Sequence, residues 1–213
     1  MKSRSEVGVL LLALTLLLSL YHPTHSFTYN PTADDAGTAV LDADGDPLKP
    51  NTLYNITTDY GEVILGHEYP PLNCPYEVLV TSNPPDNGKS VKFFPEDATA
   101  TATSILESTR LAIRFSSSTL PPECADRTHW DISGGYVPSF VMTHPSFSYN
   151  FMFKKAPDTT TVEDRRYRIG YCPSVSGMCY TIGTICTQSG CPRGIAHLAI
   201  SYSPITVQFL KTN

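Results

Sequence analysis

The groups in this chain whose types and spacing can do chemistry are its cysteines, its scattered histidines and one run of closely spaced aspartates. Cys74, Cys124, Cys172, Cys179, Cys186 and Cys191 all lie well downstream of the N-terminus. The last four run C-x6-C-x6-C-x4-C, unlike the tight C-x2-C knuckle of a structural zinc site, so no metal is expected there. Asp42, Asp44 and Asp46 around Gly45 suggest calcium, but a calcium hand needs glycine sixth and glutamate twelfth. Counted from Asp42, glycine falls fourth and the twelfth residue is Leu53, so the run reads as a solvated turn. His67, His129, His144 and His197 stand singly, with no His-Glu-x-x-His and no G-x-S-x-G elbow. The nearest phrase to that elbow, Gln188-Ser189-Gly190-Cys191, carries a sulfur expected in a disulfide, and Asp34-Asp35 and Glu163-Asp164 sit among polar turn residues. Neither a catalytic constellation nor a phosphate-binding loop is present, and no cofactor is implied.

These groups belong to an exported chain. Residues 1–26 read as a secretory signal: Lys2 and Arg4, an apolar run over 7–20, then Thr24 and Ser26 before a cut at Phe27. That run is shorter than the roughly 20 residues a membrane helix needs. Removing Lys2, Arg4 and Glu6 leaves 13 basic and 19 acidic residues, which excludes the basic patches of a nucleic-acid binder. Residues 27–213 fit one domain, with no linker inside it. An even cysteine count behind an export signal reads as three disulfides, whose pairing spacing alone leaves open. The sequon Asn55-Ile56-Thr57 offers a glycosylation site, provided Asn55 points outward while Tyr54 and Ile56 point in.

Short runs rich in Val, Ile, Tyr, Phe and Thr, bounded by Pro, Gly, Asn and Asp, predict an all-β domain. Strands are expected at 38–42, 53–57, 63–67, 77–81, 91–94, 111–115, 129–132, 149–153, 167–172, 197–202 and 205–210. Eighteen prolines favour turns over long helices, and 98–110, rich in Thr and Ala without an apolar face, reads as loop. Composition alone allows a sandwich or a barrel.

Residues 40–56, V-L-D-A-D-G-D-P-L-K-P-N-T-L-Y-N-I, resemble the opening hairpin of the plant Kunitz inhibitor family, the soybean trypsin inhibitor type. The matching positions are Val40, Asp42, Asp44, Gly45, Asp46, Leu48, Tyr54 and Ile56. Cys74-Pro75, Leu111-Ala112-Ile113-Arg114-Phe115, Tyr171-Cys172-Pro173 and Val207-Gln208-Phe209 follow as further landmarks in family order. The resemblance implies a β-trefoil, a six-stranded barrel capped by three hairpins. It implies Cys74–Cys124 closing a large loop, Cys172–Cys191 framing a smaller one, and Cys179–Cys186 nested inside. The sequential pairing Cys172–Cys179 with Cys186–Cys191 is the competing arrangement.

The resemblance also implies a monomer that inhibits a protease, of the serine class first and the cysteine or aspartic class second, by presenting a convex loop within 95–105. Counting back from 111–115 puts the scissile bond at Thr101-Ala102; counting forward from Pro95 puts it at Asp97-Ala98. Neither offers the Lys or Arg that trypsin's carboxylate-bearing pocket rewards, so strong trypsin inhibition is not expected. The family's bracing asparagine aligns with Pro50, leaving Asn51, one residue on, as the candidate brace. A non-inhibitory binding, storage or defence protein on the same scaffold is the alternative. Secretion to the extracellular space is expected, with the vacuole as second destination.

Overall fold

The computed structural model describes residues 37–66, 77–84, 90–97, 103–118, 120, 122–132, 139–157, 164–174, 177–186, 191 and 194–212. The expected signal segment 1–26 therefore lies outside the described residues. Twelve strands are formed among the described residues: β1 Tyr54–Thr58, β2 Gly61–Gly66, β3 Glu77–Thr81, β4 Ser90–Pro95, β5 Leu111–Phe115 and β6 His129–Ile132. The remainder are β7 Val141–His144, β8 Phe151–Lys155, β9 Tyr167–Tyr171, β10 Tyr180–Ile185, β11 Ile195–Ile200 and β12 Val207–Lys211.

Antiparallel pairing closes six of these into a ring, β1–β4–β5–β8–β9–β12 and back to β1. The other six form three hairpins, β2–β3, β6–β7 and β10–β11, and β3 pairs with both β7 and β11. A closed six-stranded barrel with three mutually contacting hairpins is a β-trefoil, built as three repeats of four strands. Closure leaves the barrel strands no open edge.

Alternation within each barrel strand explains the core. Tyr54 and Ile56 of β1, Leu111 and Ile113 of β5, and Tyr167 and Ile169 of β9 are all buried. So are Val91 and Phe93 of β4, Phe151 and Phe153 of β8, and Val207 and Phe209 of β12. Phe93, Phe153 and Phe209 come one from each repeat and meet with ring centroids 4.8–5.4 Å apart. Three aromatic rings at that spacing contribute edge-to-face attraction beyond their burial.

Three expectations need correcting. The strand at 38–42 forms only isolated bridges, Ala39 to Leu106 and Leu41 to Pro47, because the buried Asp42 turns the chain. Its Oδ1 accepts the N–H groups of Asp44 (3.0 Å) and Asp46 (2.9 Å), which ends any extended run. The strands β7 and β10 were not expected from sequence. In β10 the central Gly183 hides the signal, yet a Cβ there would lie 2.2 Å from the Ser203 carbonyl oxygen, so only glycine lets the two backbones approach.

Candidate functional site

The loop between β4 and β5 is where the reactive-bond candidates fall, and its two limbs are fixed by main-chain contacts. On the outgoing side the Glu96 N–H donates to the Arg110 carbonyl (2.9 Å), just past the Pro95–Leu111 register pair. Asp97 follows, exposed, in a turn. On the return side Ile105 is wholly buried; its N–H donates to Leu48 O (2.8 Å) and its carbonyl accepts from Val40 N–H (2.9 Å). The Glu107 N–H then donates to Thr38 O and the Ser108 N–H to Phe153 O, each at 2.8 Å. Of the four reactive-bond candidates, Asp97 stands at the base of the loop; Ala98, Thr101 and Ala102 lie outside the described residues.

The opening hairpin exists to clamp that return limb. The Leu48 N–H donates to Val40 O (2.8 Å), which closes 40–48 on itself, while the Asp42 carboxylate organises the turn from inside. Gly45 sits there at φ +93°, and a Cβ would meet the Arg165 guanidinium at 2.7 Å. The torsion favours glycine, and Arg165, whose Nη1 donates to the Ala43 carbonyl, packs its guanidinium over it. The Asp42 carboxylate serves backbone donors in a turn; the expected solvation holds for Asp44 and Asp46 but not for Asp42, which is buried. Among the described residues no group of three or more His, Cys, Asp or Glu is placed to hold a metal ion.

Asn51 takes φ +58° at the third position of a turn in which the Thr52 N–H reaches Lys49 O (3.4 Å). Pro50 at the second position and asparagine at the third suit a type II geometry, so this pair is explained by torsion alone. The Asn51 N–H donates to Phe93 O (3.0 Å), tying the turn to β4 two residues before Pro95. Next to it the buried Tyr54 hydroxyl accepts the Lys49 N–H (3.0 Å), and burial pushes the phenol above its ordinary pKa. Asn51 therefore meets the loop's base through its backbone, with an exposed side chain.

An aromatic group missed in the sequence flanks this base. Phe94, on the outer face of β4, meets Phe147 at 5.4 Å, and Phe147 lies 4.0 Å from the buried His129 and 5.9 Å from Tyr149. Burial first, and the Arg114 charge second, hold the His129 pKa below its usual value. The only hint in the sequence is the outward Phe94 beside the inward Phe93.

The disulfides correct the nested pairing. The bonds are Cys172–Cys179 and Cys186–Cys191, with Cα atoms 4.1 and 4.8 Å apart, in place of Cys172–Cys191 and Cys179–Cys186. The reason is β10: it runs extended between Cys179 and Cys186, which holds them about 20 Å apart, far beyond the roughly 7 Å a disulfide spans. Cys124 is buried and disulfide-bonded; Cys74, its expected partner, lies outside the described residues. Asn55 of the sequon is half-buried on the outer side of β1, between the inward Tyr54 and Ile56, and its Oδ1 accepts from Ser90 Oγ (2.9 Å).

With this geometry in place, similarity to known proteins can be weighed. A family profile, the legume Kunitz group described as trypsin and protease inhibitor, matches residues 40–211. Sporamin A of Ipomoea batatas is 28% identical over 213 aligned residues, covering 92% of this chain and 94% of its own. A trypsin/chymotrypsin inhibitor of Alocasia macrorrhizos is 28% identical, covering 81% of this chain and 96% of its own. The structure of a Kunitz-type cysteine protease inhibitor from potato superposes with a TM-score of 0.65 at 25% identity, covering 84% of this chain and 98% of that one. The clamped loop, the closed barrel and the match over almost all of the described residues agree: this chain belongs to the plant Kunitz inhibitor family of the soybean trypsin inhibitor type.

Proposed function

We propose that this non-enzymatic Kunitz protein is secreted and inhibits a protease other than trypsin by presenting the β4–β5 loop. The observation that carries the reading is the two-sided fastening of that loop, at Glu96–Arg110 and at Ile105 between Leu48 and Val40. A substrate-like loop inhibits only if its ordering cost is met before docking. Anchored limbs reduce that cost and keep cleaved ends in place for religation.

Specificity follows from residue types. Between Lys92 and Arg110 there is no basic side chain, while Glu96 and Asp97 are acidic and the apex is Ala and Thr. Trypsin's buried carboxylate would stay unpaired against such a loop. Clefts with small, neutral primary pockets, of the elastase or subtilisin type, suit Ala and Thr; relatives named for serine and for cysteine proteases keep both classes in view.

The test is an inhibition panel of purified protein against trypsin, chymotrypsin, elastase, subtilisin, papain and an aspartic protease. We expect stoichiometric inhibition of an enzyme with a small primary pocket and trypsin binding about 1000-fold weaker, or about 4 kcal/mol, than by a basic-loop relative. Thr101→Arg should recover part of that difference. Nanomolar inhibition of trypsin by the unaltered chain would overturn the specificity, and inhibition of none of the six would favour a binding or storage protein instead.

A further inference from the structure

On the side of the barrel where β12 meets β1, a cleft of about 260 Å³ is lined by Thr57, Thr58, Asp59, Arg166, Thr206 and Gln208. Every one of these side chains is polar. Arg166 Nε donates to Asp164 Oδ1 (2.9 Å) and its Nη1 lies 3.8 Å from Asp59 Oδ1, so two carboxylates answer one guanidinium. Asp59 Oδ2 also accepts from Thr206 Oγ1 (3.1 Å). The Gln208 side-chain amide makes no hydrogen bond to any described residue.

These charges and donors select a ligand. An anion would meet an arginine already claimed by two carboxylates, and an apolar ligand would strip water from polar walls without compensation. A neutral hydroxyl-rich molecule fits, because each hydroxyl both donates and accepts. The cleft offers acceptors at Asp59, donors at Arg166, and both at Gln208 and the threonines.

Two exposed large side chains neighbour the lining residues in sequence. Tyr60, beside Asp59, is 66% exposed, and Leu210, two residues beyond Gln208 on the same face, is 40% exposed. The β1–β2 turn that carries Asp59 and Tyr60 is held rigidly. Thr58 Oγ1 donates to Gly61 O (3.0 Å) and accepts the Tyr60 N–H (3.0 Å). Gly61 at φ +133° has no room for a Cβ, which would fall 2.1 Å from the Thr81 carbonyl oxygen. An ordered turn holding an acid and an aromatic ring lowers the cost of binding a sugar, whose hydroxyls and C–H face need one of each.

The sequon lies on the same surface. Asn55 pairs with Leu210 and Thr57 with Gln208, so these four outward positions form one patch of the β1–β12 ladder. Asn55 is about 7 Å from Thr57 along the strand. Its Oδ1 turns towards Ser90 on β4, the neighbour on the other side from β12.

We propose that this cleft is a saccharide-binding site for a neutral, hydroxyl-rich sugar, supplied either by the chain's own glycan at Asn55 or by a free oligosaccharide. The full chain made in the bacterial periplasm carries no N-glycan and serves as the open form; the chain made in plant cells serves as the modified form. Each is titrated with N,N′-diacetylchitobiose and with mannotriose while backbone amide shifts are followed by NMR. In the open form we expect shifts confined to Thr57, Thr58, Asp59, Tyr60, Arg166, Thr206 and Gln208, with affinity reduced about tenfold in Tyr60→Ala and in Asp59→Asn. If plant-made protein no longer responds until its glycan is removed, the chain's own glycan is the occupant. If it responds equally, the ligand is a free sugar. No shift in the open form, shifts elsewhere, or displacement of the sugar by sulfate at lower concentration would overturn the site.

Discussion

The β4–β5 loop and the β9–β11 segment each leave the barrel between paired strands, and they are fastened by opposite means. The first has no covalent tie among the described residues: Ile105 fills the core and exchanges hydrogen bonds with Leu48 and Val40, while Glu96 holds Arg110 on the other limb. The second is cross-linked at both ends of β10, by Cys172–Cys179 before the strand and Cys186–Cys191 after it. The contrast teaches where each loop's order comes from. The β4–β5 loop borrows order from the folded core, so it loosens when packing loosens; the β10 loops keep their closure whatever the core does. One loop's order depends on the whole fold, and the other's closure is local.

The sharpest way to break the comparison is to remove the packed anchor. Ile105→Ala deletes a wholly buried side chain and should cost about 3 kcal/mol of stability, as large-to-small core changes do. Inhibition through the β4–β5 loop should fall more steeply than stability, and limited proteolysis should cut within 97–104 while 172–191 stays intact. Denaturant melts and a timed digest measure both. Equal susceptibility of the two segments would show that Ile105 does not order the loop.

The converse experiment opens the covalent side. Replacing Cys186 and Cys191 together by serine frees a loop whose ends are five residues apart, and the chain-entropy account gives about 2 kcal/mol for closing so short a loop. Inhibition through the β4–β5 loop should be unchanged, and digestion should now begin between 186 and 191. Non-reducing peptide mapping of the parent chain should recover Cys172 with Cys179 and Cys186 with Cys191. Recovery of Cys179 joined to Cys186 would contradict the extended β10 and the fold around it.

The two regions also differ in how far the sequence revealed them. Strands β3, β5 and β6 are legible to the residue: β3 and β5 are compact, mainly apolar runs, and β6 alternates Trp130 and Ile132 with polar residues. The trefoil itself was readable through resemblance, yet its threefold repeat was also written in the barrel strands. Tyr54-x-Ile56, Leu111-x-Ile113 and Tyr167-x-Ile169 open the three repeats, and Val91-x-Phe93, Phe151-x-Phe153 and Val207-x-Phe209 close them. Four residues per repeat, recurring 56 to 60 positions apart among variable ones, are too sparse to stand out until the barrel aligns them. The nested disulfide pairing comes with the family resemblance; the residues alone leave the sequential pairing open, and only the extended β10 between Cys179 and Cys186 decides between them. The sequence points to the Asn51 side chain, whereas its torsion in the turn after Pro50 explains the residue first. The Phe94–Phe147–Tyr149 flank was illegible, since its members are far apart in sequence and meet only on the finished sheet.

The smallest expected effect uses pH to sharpen the same contrast. His129 on β6 lies under Phe147, which also covers Phe94 at the end of β4, close to the β4–β5 loop. Burial disfavours its charged form, and Arg114 of β5 and His144 of β7 add further positive charge opposite it. The folded pKa is therefore lower than the unfolded one, so the folded state resists binding a proton that the unfolded chain accepts. Stability is full above the unfolded value of about 6.5 and declines as pH falls from there through the depressed folded value. His129→Gln removes the titrating ring, so its stability should change less between about pH 7 and about pH 5 than that of the parent. Urea melts of both proteins at the two pH values provide the measurement. If the declining stability is accompanied by faster cleavage within 97–104 and not within 172–191, then acid loosens the packed loop and spares the cross-linked one. If His129→Gln loses as much stability as the parent between the two pH values, His129 does not resist a proton in the folded state, and the buried neutral imidazole beneath Phe147 would have to be abandoned.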